Sequence, residues 1–240
     1  MVGGGCFTNH PVLNGSSGGG NVTNLGGVNC YVSGCSLSVI AILLVSDVYG
    51  FKAPLLRKIA DKVGDSGYYV VVPDLVNDDP FNPKDLKRPN DVWVKEHEPA
   101  KCIETAKPII EALKSKGIST MGAAGFCWGA KTVTDLGTAE LTQASVLLHP
   151  SYITVDDVRG VKTPIAILGA EHDSLSPPEL VKEFKHVLDA KPEVESFVKI
   201  FPNASHGWAL RYDPTNPKAL NEAEAAHKIM IDWFDKHLKK

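Results

Sequence analysis

Short apolar runs alternate with longer amphipathic stretches along most of the chain. A strand buried on both faces is almost continuously apolar and β-branched, so we predict strands at 29–33, 39–45, 68–72, 120–124, 145–148, 165–168 and 197–201. Apolar residues at helical spacing predict helices at 53–63, 100–116, 128–136, 178–188 and 217–239. This alternation predicts an α/β fold, with helices on both faces of a mostly parallel central sheet.

Two segments differ from this alternation. Residues 1–25 are dominated by Gly, Asn and Ser, a composition that buries little apolar surface, and we predict a flexible arm there. Residues 26–240 should form a single domain, because a chain of 240 residues with 43% hydrophobic content can build one large core. The connection at 73–99 contains five prolines and either covers the site or lies on the surface as an ordinary loop.

Charge and hydropathy exclude two classes of partner. The 25 basic and 28 acidic residues give a net charge of −3, and no block of like charge is long enough to attract nucleic acid or a membrane surface. No apolar run reaches the roughly 20 residues of a membrane span, and the first residues do not resemble a secretory signal. We therefore expect a cytoplasmic protein, a monomer or homodimer, that acts on a small-molecule substrate.

The five cysteines are odd in number and include no CxxC pair. This pattern fits free thiols in a reducing compartment better than a disulfide framework or a zinc site. We therefore expect neither a metal nor a cofactor.

Cys127 lies between two glycines in the segment MGAAGFCWGAK, after a predicted strand and before a predicted helix. A nucleophile elbow has this pattern, because its central residue adopts a strained conformation that only small neighbours tolerate. The start of the helix favours a thiolate, and the amide of Trp128 would be one oxyanion-hole donor. A structural cysteine buried between Gly125 and Gly129 is the alternative for these five residues.

Asp173 and His206 follow the predicted strands at 165–168 and 197–201. The carboxyl ends of parallel strands share one edge of a sheet, so both side chains should approach Cys127 there. A histidine can then serve as general base while the carboxylate fixes its tautomer. Asp173 as a helix cap and His206 as a solvated loop residue are the alternatives. His149, in LLHPS, is the rival histidine, with a pocket-lining role.

The motifs GFCWGAK, EHDSLSPPE and SHGWALRY, with LLVSDVYGFKAPLLRKIADKVGDSGYYVVVPDL, resemble the dienelactone hydrolase family, also called carboxymethylenebutenolidases. The similarity extends from about Leu25 to the carboxyl end, and the plant-type branch is the most similar. The resemblance implies an α/β-hydrolase fold. It also implies a triad of Cys127, Asp173 and His206 that hydrolyses an enol-lactone or activated ester.

The resemblance assigns further roles around the triad. Asp47 matches a glutamate that holds the resting thiol, although it is one methylene shorter and otherwise only caps a turn. The amide of Val48 matches the second oxyanion donor. Arg211 is displaced by one residue from an arginine that grips a substrate carboxylate. The aromatic residues suggest an apolar pocket unless they belong to the core; they are Tyr49, Phe81, Trp128 and Trp208.

Three other functions remain open from the sequence. A plant enzyme of specialised metabolism would use the same pocket to cyclise, isomerise or condense a small molecule. Some plant relatives carry a β-glucanase label, but glycosidases need two facing carboxylates, and only Asp47 and Asp173 lie near the predicted site. A binding module without catalysis is the last alternative.

Overall fold

The computed structural model describes residues 10–13 and 15–239. Its strands are β1 (Asn21–Leu25), β2 (Val28–Gly34), β3 (Ile40–Val45), β4 (Tyr69–Pro73), β5 (Thr120–Phe126), β6 (Ala144–Leu148), β7 (Ile165–His172) and β8 (Ser196–Ser205). Its helices are α1 (Pro54–Asp65), α2 (Asn90–Glu96), α3 (Cys102–Ser115), α4 (Gly129–Thr138), α5 (Val155–Gly160), α6 (Pro178–Asp189) and α7 (Pro217–Leu238). A short 3-10 turn at Pro99–Lys101 precedes α3.

All strands of the described residues belong to one sheet in the order β1-β2-β4-β3-β5-β6-β7-β8. The six strands from β4 to β8 in this order run parallel, while β1 and β2 are antiparallel to their neighbours. The predicted mostly parallel sheet is therefore confirmed. Its parallel strands all end at one edge, where loops from different parts of the chain meet.

The core lies in two layers, one on each face of the sheet. Alternate residues of a strand point to opposite faces, and in β3 Leu43 packs in one layer while Ile42 and Leu44 pack in the other. Helices α3, α4, α5 and α6 cover the first face, and α1 and α7 cover the second. Burial on both faces explains why the central strands are nearly all apolar. Among the described residues, no helix is long and apolar enough to cross a membrane.

The predicted boundary of the arm at residue 25 is too late. Residues 21–25 form β1, which pairs antiparallel with β2 from Asn21 opposite Val32 to Leu25 opposite Val28. Its polar sequence NVTNL suits an exposed edge strand, which is why composition alone assigned it to the arm. Residues 1–9 and 14 lie outside the described residues.

Side chains of α1 hold the residues just before β1. The Arg57 guanidinium is buried, and its Nη1 donates hydrogen bonds to the carbonyl oxygens of Gly15 at 2.7 Å and Ser17 at 3.1 Å. The Asp61 carboxylate accepts a hydrogen bond from the Gly19 amide at 2.8 Å. These bonds satisfy polar backbone groups that would otherwise depend on water, and they fix this part of the arm against the domain.

Replacing Phe234 by Ala should destabilise the fold. Phe234 of α7 is fully buried, with its ring edge-on to Tyr68 at a centroid distance of 6.4 Å. We expect a loss of about 3–5 kcal/mol in the free energy of unfolding, because truncation leaves a cavity. Chemical denaturation measures this. Leu86→Ala is the control, since Leu86 is 90% exposed and should change the free energy by only about 0.5 kcal/mol. Equal losses in both variants would contradict the core assignment.

Candidate active site

Cys127 joins β5 to α4 through a sharp turn. Its φ of +52° is a left-handed conformation that costs energy for a residue with a side chain. The neighbouring glycines make the turn possible. A Cβ on Gly125 would lie 2.6 Å from the Gly129 carbonyl oxygen, and a Cβ on Gly129 would lie 2.5 Å from that of Ser46. The G-x-C-x-G pattern thus reflects backbones in direct contact, as a nucleophile elbow requires.

The Cys127 side chain is fully buried beside the loop that follows β6. Its Sγ lies 3.4 Å from the Ser151 hydroxyl oxygen. The backbone is held on both sides, since the Cys127 amide donates to the Leu148 carbonyl at 3.1 Å and the Cys127 carbonyl accepts from the Ser151 amide at 3.1 Å. The backbone that carries the sulfur is therefore fixed next to this loop.

Strand pairing brings Asp173 and His206 together. β7 and β8 remain paired beyond the core as far as His172 opposite Ser205, with a register shift between Ala170 and His172. Asp173 directly follows β7, and His206 directly follows β8. His206 Nδ1 lies 2.7 Å from Asp173 Oδ2, and both side chains are almost completely buried. The bond holds the ring with its second nitrogen directed away from the carboxylate.

The other oxygen of Asp173 is also engaged. Its Oδ1 accepts hydrogen bonds from the amides of Leu175 at 2.8 Å and Ser176 at 3.1 Å, just before α6. The carboxylate therefore caps this turn and holds His206 at the same time. The two alternatives considered for Asp173, a structural cap and a partner of the histidine, are both present in one side chain.

The His206 imidazole interacts with Cys127 as well as with Asp173. Burial favours the neutral ring, but the charge of Cys127 and the hydrogen bond to Asp173 outweigh it, raising the pKa of His206 to about 9. The ring is thus an imidazolium at neutral pH when the sulfur is a thiolate. Asp173 thus bonds the His206 ring directly, and Cys127 influences it through its charge.

Asp47 forms a buried ion pair with Arg211. Asp47 Oδ2 accepts from Arg211 Nη1 at 3.1 Å, and Asp47 Oδ1 accepts from the Tyr49 amide at 2.9 Å. Burial raises the pKa of Asp47, although the Arg211 charge opposes this. The Arg211 guanidinium also lies over the Tyr49 ring, 5.6 Å from its centroid. Both oxygens of the carboxylate expected to orient the thiol therefore have other partners.

Val48 and Trp128, which are predicted to form the oxyanion hole, occupy matching positions after the neighbouring strands β3 and β5. Val45 of β3 is paired with Gly125 of β5, and Val48 and Trp128 each lie three residues further along. Both are buried beyond the carboxyl ends of their strands. Val48 is fixed in addition by its carbonyl oxygen, which accepts from the Phe81 amide at 2.9 Å.

The predicted pocket residues separate into two groups. Tyr49 and Phe81 line a cavity of about 600 Å³ that also includes Trp93 and the arm residues 10–13. The Trp128 ring packs against Trp93 and donates its indole N–H to a backbone carbonyl, which makes it part of the core. Trp208 does not line this cavity either. Its ring packs against the imidazole of His149, with the ring centroids 5.5 Å apart.

His149 packs against the His206 ring. The two imidazole centroids are 5.0 Å apart in an edge-to-face arrangement. His149 is fully buried, and this burial, followed by the positive charges of His206 and Arg211, lowers its pKa well below the usual value. His149 therefore stays neutral. The Asp173 carboxylate bonds to His206 and not to this rival histidine.

Sequence reasoning missed Ser151 and Trp93. Ser151 follows His149 by two residues in LLHPS, and only its contact with Cys127 distinguishes it from other loop serines. Trp93 anchors α2 within the proline-rich connection, where it stacks on His97 and touches Phe81. The connection at 73–99 therefore packs against the site. Among the described residues, no group of three or more His, Cys, Asp or Glu side chains is arranged to hold a metal ion.

Comparison with known proteins identifies the family of the chain. A sequence profile described as the Dienelactone hydrolase family matches residues 29–238. The chain belongs to the dienelactone hydrolase family. The resemblance inferred from the sequence motifs is thereby confirmed, and the chain is a hydrolase of this family.

Two relatives of the chain align with it over different fractions of their own length. A maize protein named Endo-1,3;1,4-beta-D-glucanase is 45% identical over 169 residues, 70% of this chain and 54% of its own length. The chain thus spans about half of that relative, whose plant origin agrees with the predicted branch. A Xenopus tropicalis Carboxymethylenebutenolidase homolog is 28% identical over 203 residues, 82% of each chain.

The crystal structure of a putative dienelactone hydrolase from Klebsiella pneumoniae has a similar fold. Its TM-score to this chain is 0.71, with 16% identity over 88% of this chain and 93% of that one. At this identity the likeness establishes the fold alone. The α/β-hydrolase fold expected from the sequence is confirmed.

The titration of His206 should depend on both of its partners. Its pKa of about 9, compared with 6.5 for an unperturbed histidine, means that the folded protein binds this proton more tightly than the unfolded chain. The resulting stabilisation is complete below the unfolded pKa and is lost as pH rises through about 9. In Cys127→Ala and Asp173→Asn, NMR titration of the ring should give a lower pKa.

Cys102→Ala is the matched control for this titration. Cys102 is also buried, but it lies at the start of α3, and its sulfur faces the carbonyl oxygens of Leu75 and Glu98. This variant should leave the His206 titration unchanged. An unaltered His206 pKa in both Cys127→Ala and Asp173→Asn would contradict the interactions described here.

Proposed function

We propose that the protein hydrolyses small carboxylic esters or lactones through Cys127, His206 and Asp173, with a covalent acyl-cysteine intermediate. The observation that supports this most is the position of the His206 ring, which bonds Asp173 through Nδ1 and interacts with Cys127 at a strained elbow. A nucleophile, a base and a group that orients the base are the parts that covalent acyl transfer requires.

Acylation begins when the Cys127 proton moves to His206 Nε2, the ring nitrogen that Asp173 leaves available. The thiolate then attacks the substrate carbonyl carbon, and the carbonyl electrons move onto oxygen. The amides of Val48 and Trp128 would donate hydrogen bonds to this oxyanion. Its collapse breaks the bond to the leaving alkoxide or enolate, which takes the proton from His206.

Deacylation repeats the sequence with water as the nucleophile. His206 accepts a proton from the water, which attacks the thioester carbonyl. Collapse of this second tetrahedral intermediate releases the carboxylic acid product and restores the thiolate. Asp173 stabilises the imidazolium that forms in each half of the cycle.

A cavity that begins at Tyr49 is large enough to hold a small substrate, although Cys127, His206 and Asp173 do not line it. Its volume of about 600 Å³ falls within the range of about 300–1,000 Å³ typical of small-molecule sites. Tyr49 and Phe81 give it aromatic walls, while Asp79 and Arg88 place charges in its lining. Because Cys127 is fully buried, the substrate reaches the sulfur only after covering side chains move.

Cys127→Ala should abolish acyl-enzyme formation and lower kcat by about a thousandfold or more, because the step that this sulfur begins has no substitute. Turnover of a panel of aryl esters and lactones measures the rate. Intact-protein mass spectrometry after rapid quenching detects the thioester adduct. Cys102→Ala is the matched control and should retain both activity and adduct. Full turnover by Cys127→Ala would refute the proposal.

A second candidate function is the cleavage of mixed-linkage β-glucan. It is favoured by the 45% identity to the maize protein of that name, although the aligned region covers only 54% of that protein. Glycosidases use two carboxylates that face each other across the sugar bond. Here Asp173 is bonded to His206 and two amides, and Asp47 is paired with Arg211. These contacts favour acyl transfer.

A reducing-sugar assay on mixed-linkage β-glucan distinguishes the two candidate functions. Ester or lactone hydrolysis with no release of sugar is expected, because neither carboxylate is available as an acid. Sugar release that persists in Cys127→Ala but is lost in Asp47→Asn would instead favour the glycan reaction. The cytoplasmic location and the monomeric or homodimeric state expected from the sequence stay predictions.

A further inference from the structure

The loop after β6 is strained and closely attached to the elbow. Within it, His149 has a φ of +38° and Tyr152 a φ of +58°, left-handed values for residues that carry large side chains. Backbone strain of this kind persists only where surrounding contacts impose it, and it occurs frequently at functional sites. Two contacts impose it here: the His149 amide donates to the Leu168 carbonyl at 2.8 Å, and the Ser151 amide donates to the Cys127 carbonyl at 3.1 Å.

This loop places the Ser151 hydroxyl against the sulfur. Ser151 is 1% exposed, and its Oγ lies 3.4 Å from Cys127 Sγ, a hydrogen-bonding distance for the large sulfur atom. The hydroxyl has no other hydrogen-bond partner among the described residues. Backbone hydrogen bonds bring both residues close together, so the contact between their side chains costs little additional conformational entropy.

Asp47 is engaged elsewhere. Its two oxygens accept from Arg211 and the Tyr49 amide, so the carboxylate that the family resemblance assigns to the resting thiol already holds two other donors. A hydroxyl differs from a carboxylate in one respect that matters here: it can donate a hydrogen bond to an anion. A neutral donor stabilises a thiolate, whereas a neighbouring carboxylate repels it.

We propose that Ser151 is a positioning residue for Cys127, which orients the sulfur and donates a hydrogen bond to its thiolate form. This inference rests on the proposed function. The thiol proton moves from Sγ to His206 Nε2, while Ser151 keeps its own proton. The hydrogen bond weakens when a lone pair of the sulfur forms the carbon–sulfur bond. It forms again when deacylation breaks that bond and the thiolate leaves, so Ser151 increases the population of thiolate available for attack and stabilises the sulfur as it departs.

Of the charges near the sulfur, that of His206 changes with pH, since its pKa is about 9, and this ring is present in every variant that is compared. His149 stays neutral because of its burial, and Asp173 is held by two amides and His206. The titratable and charged groups around the Cys127 and His206 pair are Asp47, His149, Asp173 and Arg211. The step assigned to Ser151 is therefore measurable as a change in the thiolate population.

The experiment follows the ultraviolet absorbance of the Cys127 thiolate across pH, with the matching Cys127→Ala protein subtracted to remove the other cysteines. Ser151→Ala should lower the thiolate fraction at neutral pH about tenfold, because a hydrogen bond to a charged group is lost. The pH profile of kcat/KM should show the same change, with about a tenfold loss near pH 7 that diminishes at high pH. Ser151→Thr, which keeps the hydroxyl, should restore both.

Ser145→Ala is the matched control. Ser145 is a fully buried serine on β6 whose hydroxyl has no hydrogen-bond partner among the described residues. Its loss removes the same atom without affecting the sulfur, so both profiles should match the wild type. Thiolate titrations of Ser151→Ala and wild type that superimpose would overturn the proposal. If the Ser151 variants do not fold, the wild-type crystal structure decides, and a Ser151 hydroxyl turned away from the sulfur would overturn it.

The titration needs no substrate, which separates two kinds of failure. If no ester or lactone is hydrolysed but Ser151→Ala still lowers the thiolate fraction, the proposed function fails and the hydrogen bond stands. If Cys127→Ala abolishes turnover while Ser151→Ala titrates like the wild type, the triad stands and the role of Ser151 fails.

Discussion

The hydrogen bond between His206 Nδ1 and Asp173 Oδ2 is the contact on which the geometry of the site depends. It joins residues 33 positions apart, and it forms because β7 and β8 stay paired up to the residues just before them. With Nδ1 engaged, the ring has one orientation, and its Nε2 is the nitrogen left for another partner. The packed sheet thus fixes the orientation of the His206 ring, which Cys127 influences through its charge.

Local patterns predicted those parts of the fold that local forces determine. The all-apolar run IAILLV of β3 indicated a strand buried on both faces, and the glycines beside Cys127 indicated a tight turn. Cys127, Asp173 and His206 each follow a predicted strand, and this pattern was sufficient to predict that all three lie at one edge of the sheet. The family resemblance added Val48 and Asp47, which no spacing rule would have selected.

Other features depend on contacts between distant segments. β1 looked like part of a loose arm because its sequence is polar, and its order comes from pairing with β2. The seven residues of α2 are too few for a periodic signal, and the burial of Trp93 holds the helix in place. For α5 a signal was present, since Thr154 and Asp157 form a capping box. Ser151 carried no such signal.

The complete enclosure of the Cys127 sulfur has a consequence for damage by oxidants. Peroxide converts accessible thiolates first to sulfenic acid and then to forms that are not readily reduced. Cys127 is sealed from solvent, while Cys35 is exposed beyond the end of β2. Under oxidative stress, peroxide in solution therefore reaches Cys35 before Cys127, and the enclosed Cys127 thiol is protected for as long as its surroundings stay closed.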